Sequence, residues 1–278
     1  MHKFTLEILF QIIGIGSASG LIFKDNQLYI IGDNSNYLYE YAIGAQELKR
    51  HPLRENPSEN IPKANKPDFE AVTEYDGKIY VFGSGSTENR NKMVTLDSSS
   101  KEIIATTDLS DLNLAMQSFA GLPPNDLNIE GAIYNGAEWF FFNRGNGVSG
   151  KNIVFTVQGK NLTEEFNIIS TEFKLPKIKG IRSSFTDAIL VKKKIYFLAT
   201  AENTTSTYND GEVLGSFIGC IDLEKMKIDF TQKITDTLKL EGLTFYGETD
   251  KEITFLLCED NDTSELKTAV HKLVLTKK

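Results

Sequence analysis

Four carboxylates and one serine recur along this chain at nearly even spacing, each followed by a glycine or alanine: Ser19-Gly20, Glu70-Ala71, Glu130-Gly131, Asp187-Ala188 and Glu241-Gly242. The separations are 51, 60, 57 and 54 residues, and the path from Glu241 through the C-terminus back to Ser19 takes 56. These are oxygen donors only, with no imidazole or thiolate among them. If they converge, they suit a hard cation, and calcium before zinc or copper. At ~5 Å and an effective dielectric near 20, each like-charged pair would cost roughly 3 kcal/mol, so such a cluster requires a cation, protons or hydration. The other available counter-charge is internal, with the glutamates pairing with backbone N–H groups or with lysine and arginine.

Something must bring residues more than fifty positions apart to one point, and the repeat around them supplies it. Each anchor opens a short apolar run, a polar turn follows, and a second strand carries an aromatic, as in Leu28 to Gly32, Lys78 to Gly83, Glu138 to Phe142, Lys194 to Leu198 and Glu252 to Leu257. Each period has room for four short strands. In the second copy they are expected at Ala71 to Tyr75, Lys78 to Phe82, Lys92 to Asp97 and Ile103 to Thr107, with Asp76-Gly77 as the tight turn. The fifth copy has three strands before the chain ends, the last at Thr268 to Leu275, and Phe4 to Ile13 supplies the missing one. The expectation is an all-β, five-bladed β-propeller over residues 1–278, its last blade closed by the N-terminal strand. Helical periodicity is confined to a possible turn around Asp108 to Gln117.

In that architecture the anchors sit near one mouth of a central channel, and Ser19, Glu70, Glu130, Asp187 and Glu241 are the expected metal ligands. The loops after each second strand open on the same face. Arg90 and Arg144 stand at matching positions after Asn89 and Asn143, and these four residues with Arg182 are the expected binders of a substrate rich in anionic oxygens. Asp33, Asp68 and Glu212 are the acidic rim residues that could serve as general base, and Lys66, Asn128 and Lys239 join the rim from the loops entering each blade. Asp260-Asn261-Asp262 lacks the spacing of an EF-hand loop and reads as a solvated turn.

Composition removes other chemistries. Thirty Lys and Arg against 38 Asp and Glu give a net charge of -8, which opposes binding to nucleic acid. Three histidines (His2, His51, His271) and two cysteines (Cys220, Cys258), none in a motif loop, disfavour a Ser-His-Asp hydrolase and a zinc centre. Both cysteines read as blade packing and fit a reducing compartment. The opening residues resemble a secretory leader, but Glu7 and Gln11 interrupt what would be its apolar stretch, so a strand and a cytoplasmic location are expected, with a secreted or periplasmic one as the alternative. No stretch reaches the ~20 apolar residues of a membrane helix.

The runs at 83–92, 128–132, 142–147 and 210–219 make the whole chain similar to a family of uncharacterised bacterial propeller proteins, which implies a fold and no activity. The anchors also resemble those of calcium-activated apyrases, five-bladed propellers in which a Ser or Glu from each blade converges on an axial calcium. Their order of Ser, Glu, Glu, Ser and Glu falls on Ser19, Glu70, Glu130, the Thr186-Asp187 position and Glu241, departing at the fourth blade. Phytase-like esterase and calcium-dependent lactonase propellers have similar Glu-Gly and Glu-Ala signatures. The resemblance implies a calcium site and the hydrolysis of a phosphorylated or otherwise anionic small molecule. A non-enzymatic propeller that binds a ligand or protein, with a structural channel cation, is the other reading.

Overall fold

A computed structural model describes residues 3–159, 161–164, 166–207, 211–260 and 266–277. His2, Asn261 and Asp262 lie outside the described residues. The first strand, β1 (Phe4–Ile13), belongs by sequence to no blade that follows it directly. Blade 1 is β2 (Ala18–Lys24), β3 (Gln27–Gly32), β4 (Tyr37–Ala42) and β5 (Glu47–Pro52); blade 2 is β6 (Phe69–Tyr75), β7 (Lys78–Gly83), β8 (Lys92–Asp97) and β9 (Ile103–Asp108). Helix α1 (Ser110–Phe119) follows blade 2 where the sequence suggested only a turn, and it buries Leu112 and Met116 against the core between blades 2 and 3.

Blade 3 is β10 (Ile129–Tyr134), β11 (Glu138–Asn143), β12 (Asn152–Gln158) and β13 (Asn167–Phe173). Blade 4 gains a two-residue strand, β14 (Lys177–Ile178), before β15 (Ile181–Val191), β16 (Lys194–Asn203), β17 (Glu212–Asp222) and β18 (Lys227–Thr235). Blade 5 is β19 (Leu240–Glu248), β20 (Glu252–Glu259) and β21 (Lys267–Thr276), and β1 pairs antiparallel with β21 as its outer strand. Glu7 and Gln11 within Phe4–Ile13 are therefore on the exposed face of a sheet strand, while Phe4, Leu6, Phe10 and Ile12 turn to the other face.

Every inner strand touches the inner strands of both neighbours: β2 with β6, β6 with β10, β10 with β15, β15 with β19, and β19 with β2. That closes a five-bladed ring. Crowding at the closure explains the small residues after the anchors. A Cβ at Gly20 would lie 2.9 Å from Val72 of blade 2, and one at Gly131 would lie 3.0 Å from the backbone nitrogen of Ala188 in blade 4. The apolar core lies between blades. Phe82, Trp139, Phe141 and Phe155 fill the space between blades 2 and 3, and Leu198, Leu243, Phe255 and Leu257 that between blades 4 and 5. Cys220 and Cys258 are unpaired and buried. Among the described residues no helix is long and apolar enough to cross a membrane.

Candidate functional site

The register of the inner strands contains a repeated irregularity. Pairing of each inner strand with its neighbour skips one residue, between Ala18 and Gly20, Phe69 and Ala71, Ile129 and Gly131, Phe185 and Asp187, and Leu240 and Gly242. Such a bulge leaves one residue outside the ladder and re-aims its side chain. The bulged residues are thus Ser19, Glu70, Glu130, Thr186 and Glu241. In blade 4 the equivalent position is Thr186 and not Asp187, because the bulge falls one residue earlier than matching the acidic-then-small pattern suggests.

The bulges have different surroundings. Thr186 donates its hydroxyl to the Leu240 carbonyl at 2.7 Å, and Asp187 accepts the N–H groups of Ala188 and of Leu243, both at 2.7 Å, so both residues tie blade 4 to blade 5 or to itself. Burial pushes the Asp187 carboxyl well above the usual range, the two N–H bonds opposing it. Ser19 is buried and its Oγ has no hydrogen-bond partner among the described residues. Only Glu70, Glu130 and Glu241 of the five line the polar cavity at the channel mouth, which has a volume of about 310 Å³.

That cavity has two sides. On the side of blades 3 to 5, Arg144 projects from the loop after β11 and is 6% exposed. Its Nη1 lies 3.2 Å from Glu130 and 3.6 Å from Glu241, while Nη2 bonds Glu202. Asn128 donates to Glu130 at 2.7 Å, and Gly211 N–H to Glu202 at 2.7 Å. Lys239 bridges Glu241 at 3.1 Å and Asp260 at 2.8 Å. Burial, which would depress it, is outweighed at Arg144 by Glu130, Glu202 and Glu241, and the guanidinium stays charged. Burial raises the Glu130 carboxyl, with Arg144 and Lys239 opposing; burial also pushes Glu241 well up, with Lys239 opposing.

On the side of blades 1 and 2, Asp33, Asp68 and Glu70 bring carboxylate oxygens within 4.8 Å of one another. Lys66 bonds Asp33 and lies 2.9 Å from Asp68; Arg90 bonds Asp68 at 2.7 Å and Ser86 at 2.9 Å. Asp68 sits at φ 55, a left-handed conformation that aspartate tolerates, fixed by its N–H to the Asp33 carbonyl at 3.0 Å and by Ser84 N–H to its own carbonyl at 2.9 Å. Glu70 is 8% exposed and makes no side-chain hydrogen bond or ion pair among the described residues. Burial, then the charges of Glu130, Asp68 and Asp33, push its carboxyl well above the glutamate range, against Lys66. One Asp33 oxygen and Arg144 Nε are also buried without partners.

The cavity therefore holds seven carboxylates and five basic side chains, Lys63 being the fifth. Of the residues expected from sequence, Glu70, Glu130, Glu241, Arg90, Arg144, Asp33, Asp68, Lys66, Asn128 and Lys239 line it. Asn89 is exposed on a short 3₁₀ turn, Asn143 is buried with its amide on Asn128 N–H and the Lys151 carbonyl, and Arg182 is exposed and bonds the Gly150 carbonyl at 2.9 Å. None of these three lines the cavity, nor does Glu212. His51 and His271 pair with Glu40 and Glu259 away from it. Sequence reasoning assigned Glu202 no role of its own and left Thr186 undivided from Asp187. The first was one polar residue in a polar loop, and the second is revealed only by the bulge register.

The axial set does not fit a calcium ion held by all five anchors. Arg144 and Lys239 already occupy Glu130 and Glu241, Thr186 is turned to a carbonyl, and Asp187 is bonded to backbone N–H groups. Among the described residues, Ser19 Oγ is buried without a partner and Glu70 makes no side-chain hydrogen bond or ion pair.

Residues 14–275 match the profile of a family described as "Family of unknown function (DUF6929)". No curated protein sequence matches the chain. Among solved structures, glutaminyl cyclase from Myxococcus xanthus is similar at a TM-score of 0.54 and 10% identity over 98% of this chain and 97% of that one. A luciferin-regenerating enzyme gives 0.49 and 9% over 98% and 95%, and a duf4221 family member from Bacteroides vulgatus 0.42 and 11% over 99% of both chains. At such identities the likeness concerns the fold alone.

Proposed function

The chain belongs to this family of unknown function, so from its own geometry we propose that the mouth of the channel binds a small polar ligand together with a divalent cation. The observation that carries this reading is the excess of carboxylates over basic groups in one cavity, together with buried polar atoms there that have no protein partner. Seven carboxylates against five basic groups leave two negative charges when all are ionised, which one divalent cation offsets. Oxygen donors favour calcium.

The finer form of the reading is hydrolysis of a phosphorylated or carboxylated small molecule. Asp33 and Asp68 are the cavity carboxylates that would take a proton from water in that case, and Lys63 and Arg90 line the same cavity. A specific observation favours the non-enzymatic alternative: Arg144 joins carboxylates of blades 3, 4 and 5, so a basic side chain does the tying expected of a structural cation.

The test is thermal denaturation with calcium, alone and with nucleotides, phytate and lactones, combined with turnover assays of each. A ligand at one hundred times its Kd stabilises by about 2.7 kcal/mol. Stabilisation by calcium and by one ligand class supports the proposal, and turnover supports its hydrolytic form. No stabilisation by calcium or by any ligand overturns it.

A further inference from the structure

We propose that Asp33, Asp68 and Glu70 form an off-axis divalent-cation site between blades 1 and 2, for which the Lys66 ammonium is a tethered competitor. This rests on the reading of the mouth as the binding site and gives its cation a place and a regulator. It shares only Glu70 with the axial set.

Three observations carry it. The three carboxylates approach within 4.8 Å of one another, close enough for one ion to reach an oxygen of each. Glu70, more than nine-tenths buried and lining the cavity, has no partner, and one oxygen of Asp33 is buried without one. A buried polar group in that condition costs free energy that a ligand restores. The third observation is Lys66, which spans Asp33 and Asp68 but makes no bond to Glu70. Its charge and that of Arg90, which bonds Asp68, leave one of the three carboxylates without a counter-charge, and the Lys66 ammonium lies where a cation shared by the two aspartates would bind.

The donor set selects the ion. Carboxylates alone, beside a cavity of about 310 Å³ with room for water, suit a hard cation that completes its shell with solvent. Binding displaces Lys66 from Asp33 and Asp68. Cation and ammonium therefore compete directly, and cation occupancy frees Lys66 in the cavity, where it can meet an anionic group of a bound molecule. On the opposite side Glu130, Glu202, Glu241 and Asp260 each have an ion pair to Arg144 or Lys239, so none of them stands as Glu70 does.

The experiment is calorimetric titration of the full chain with Ca²⁺, comparing wild type with Lys66→Met, Glu70→Gln and Glu241→Gln, each checked for folding by circular dichroism. Lys66→Met should bind about ten-fold or more tightly than wild type, and Glu70→Gln about ten-fold or more weakly. Glu241→Gln, at a residue that lines the same cavity but is outside the donor set, should weaken binding by less than Glu70→Gln does. The proposal falls if Lys66→Met binds no more tightly, if Glu70→Gln matches wild type, or if Glu241→Gln abolishes binding while Glu70→Gln does not. Should Lys66→Met fail to fold, wild type against Glu70→Gln decides, with Mn²⁺ paramagnetic resonance and Ca²⁺ competition as the second readout. Absence of cation binding in both wild type and Lys66→Met overturns it and leaves a proton as the counter-charge of Glu70. If calcium-free protein is still stabilised by an anionic ligand, the mouth remains a binding site and only the cation site is lost.

Discussion

The two walls of one cavity treat the same kind of residue in opposite ways. Glu130, Glu202 and Glu241 on the far wall share Arg144 and Lys239, whereas Glu70 on the near wall has Asp33 and Asp68 as neighbours and no bond to Lys66 or Arg90. All three bulged glutamates arise from the same repeat and sit on equivalent inner strands. Their difference comes from the loops: the third blade places an arginine after Asn143 that reaches across the axis, and the arginine after Asn89 turns to Asp68 instead. A repeat thus positions carboxylates by symmetry, while loops outside the symmetry determine which of them is neutralised. The far wall has the character of a structural tie, and the near wall is the one proposed to bind.

The sharpest way to break this contrast is to remove the tie. Arg144→Met would leave three buried carboxylates without their shared cation, and breaking a buried ion pair in this way costs about 3–5 kcal/mol. Chemical denaturation should show that loss directly, and a loss below about 1 kcal/mol would mean the far wall is not a tie. Lys239→Met removes one counter-charge from Glu241 and Asp260, and a smaller loss of about 2–3 kcal/mol is expected by the same measurement.

Glu70→Gln should act in the opposite direction. Without divalent cation at neutral pH it removes the uncompensated carboxyl, and we expect a gain of about 1 kcal/mol, or roughly 2–4 °C in Tm. The pH dependence follows from the direction of the shift. The folded Glu70 carboxyl holds its proton above the pH at which the unfolded one has lost it, so folded protein binds more protons in that window and stability declines as pH rises through it. Glu70→Gln should flatten that decline in the range above about pH 4.5, measured as Tm against pH. A wild-type Tm that rises with pH over the same range, and loses that rise in Glu70→Gln, would contradict the assignment. The smallest effect is expected for Arg182→Ala, an exposed residue with one bond to a loop carbonyl, where stability and ligand affinity should change by less than about 0.5 kcal/mol.

The fold was readable because apolar alternation and tight turns recur in each period, and because Phe4 to Ile13 had strand character with no blade of its own. The convergence of Glu70, Glu130 and Glu241 followed from the same spacing. Asp187 shows where the reading stops. Thr186 and Asp187 are adjacent polar residues before an alanine, and only the pairing of Phe185 with Ala199 and of Asp187 with Leu198 identifies the bulged one. The ion pairs were not readable either. Arg144 and Glu202 are 58 residues apart in different blades, and whether an arginine turns to the axis or to its own loop depends on backbone geometry that local sequence does not encode. Glu70 lacks a partner for the same reason, since nothing in the segment around it distinguishes it from Glu130.

The most direct test is electron density at the mouth in crystals grown with calcium. The account predicts an ion bonded to carboxylate oxygens of Asp33, Asp68 and Glu70 at ~2.3–2.6 Å, with Lys66 withdrawn and Arg144 still between Glu130 and Glu241. An ion on the axis with Arg144 displaced, or a mouth without an ion while Lys66 keeps its place, would contradict it.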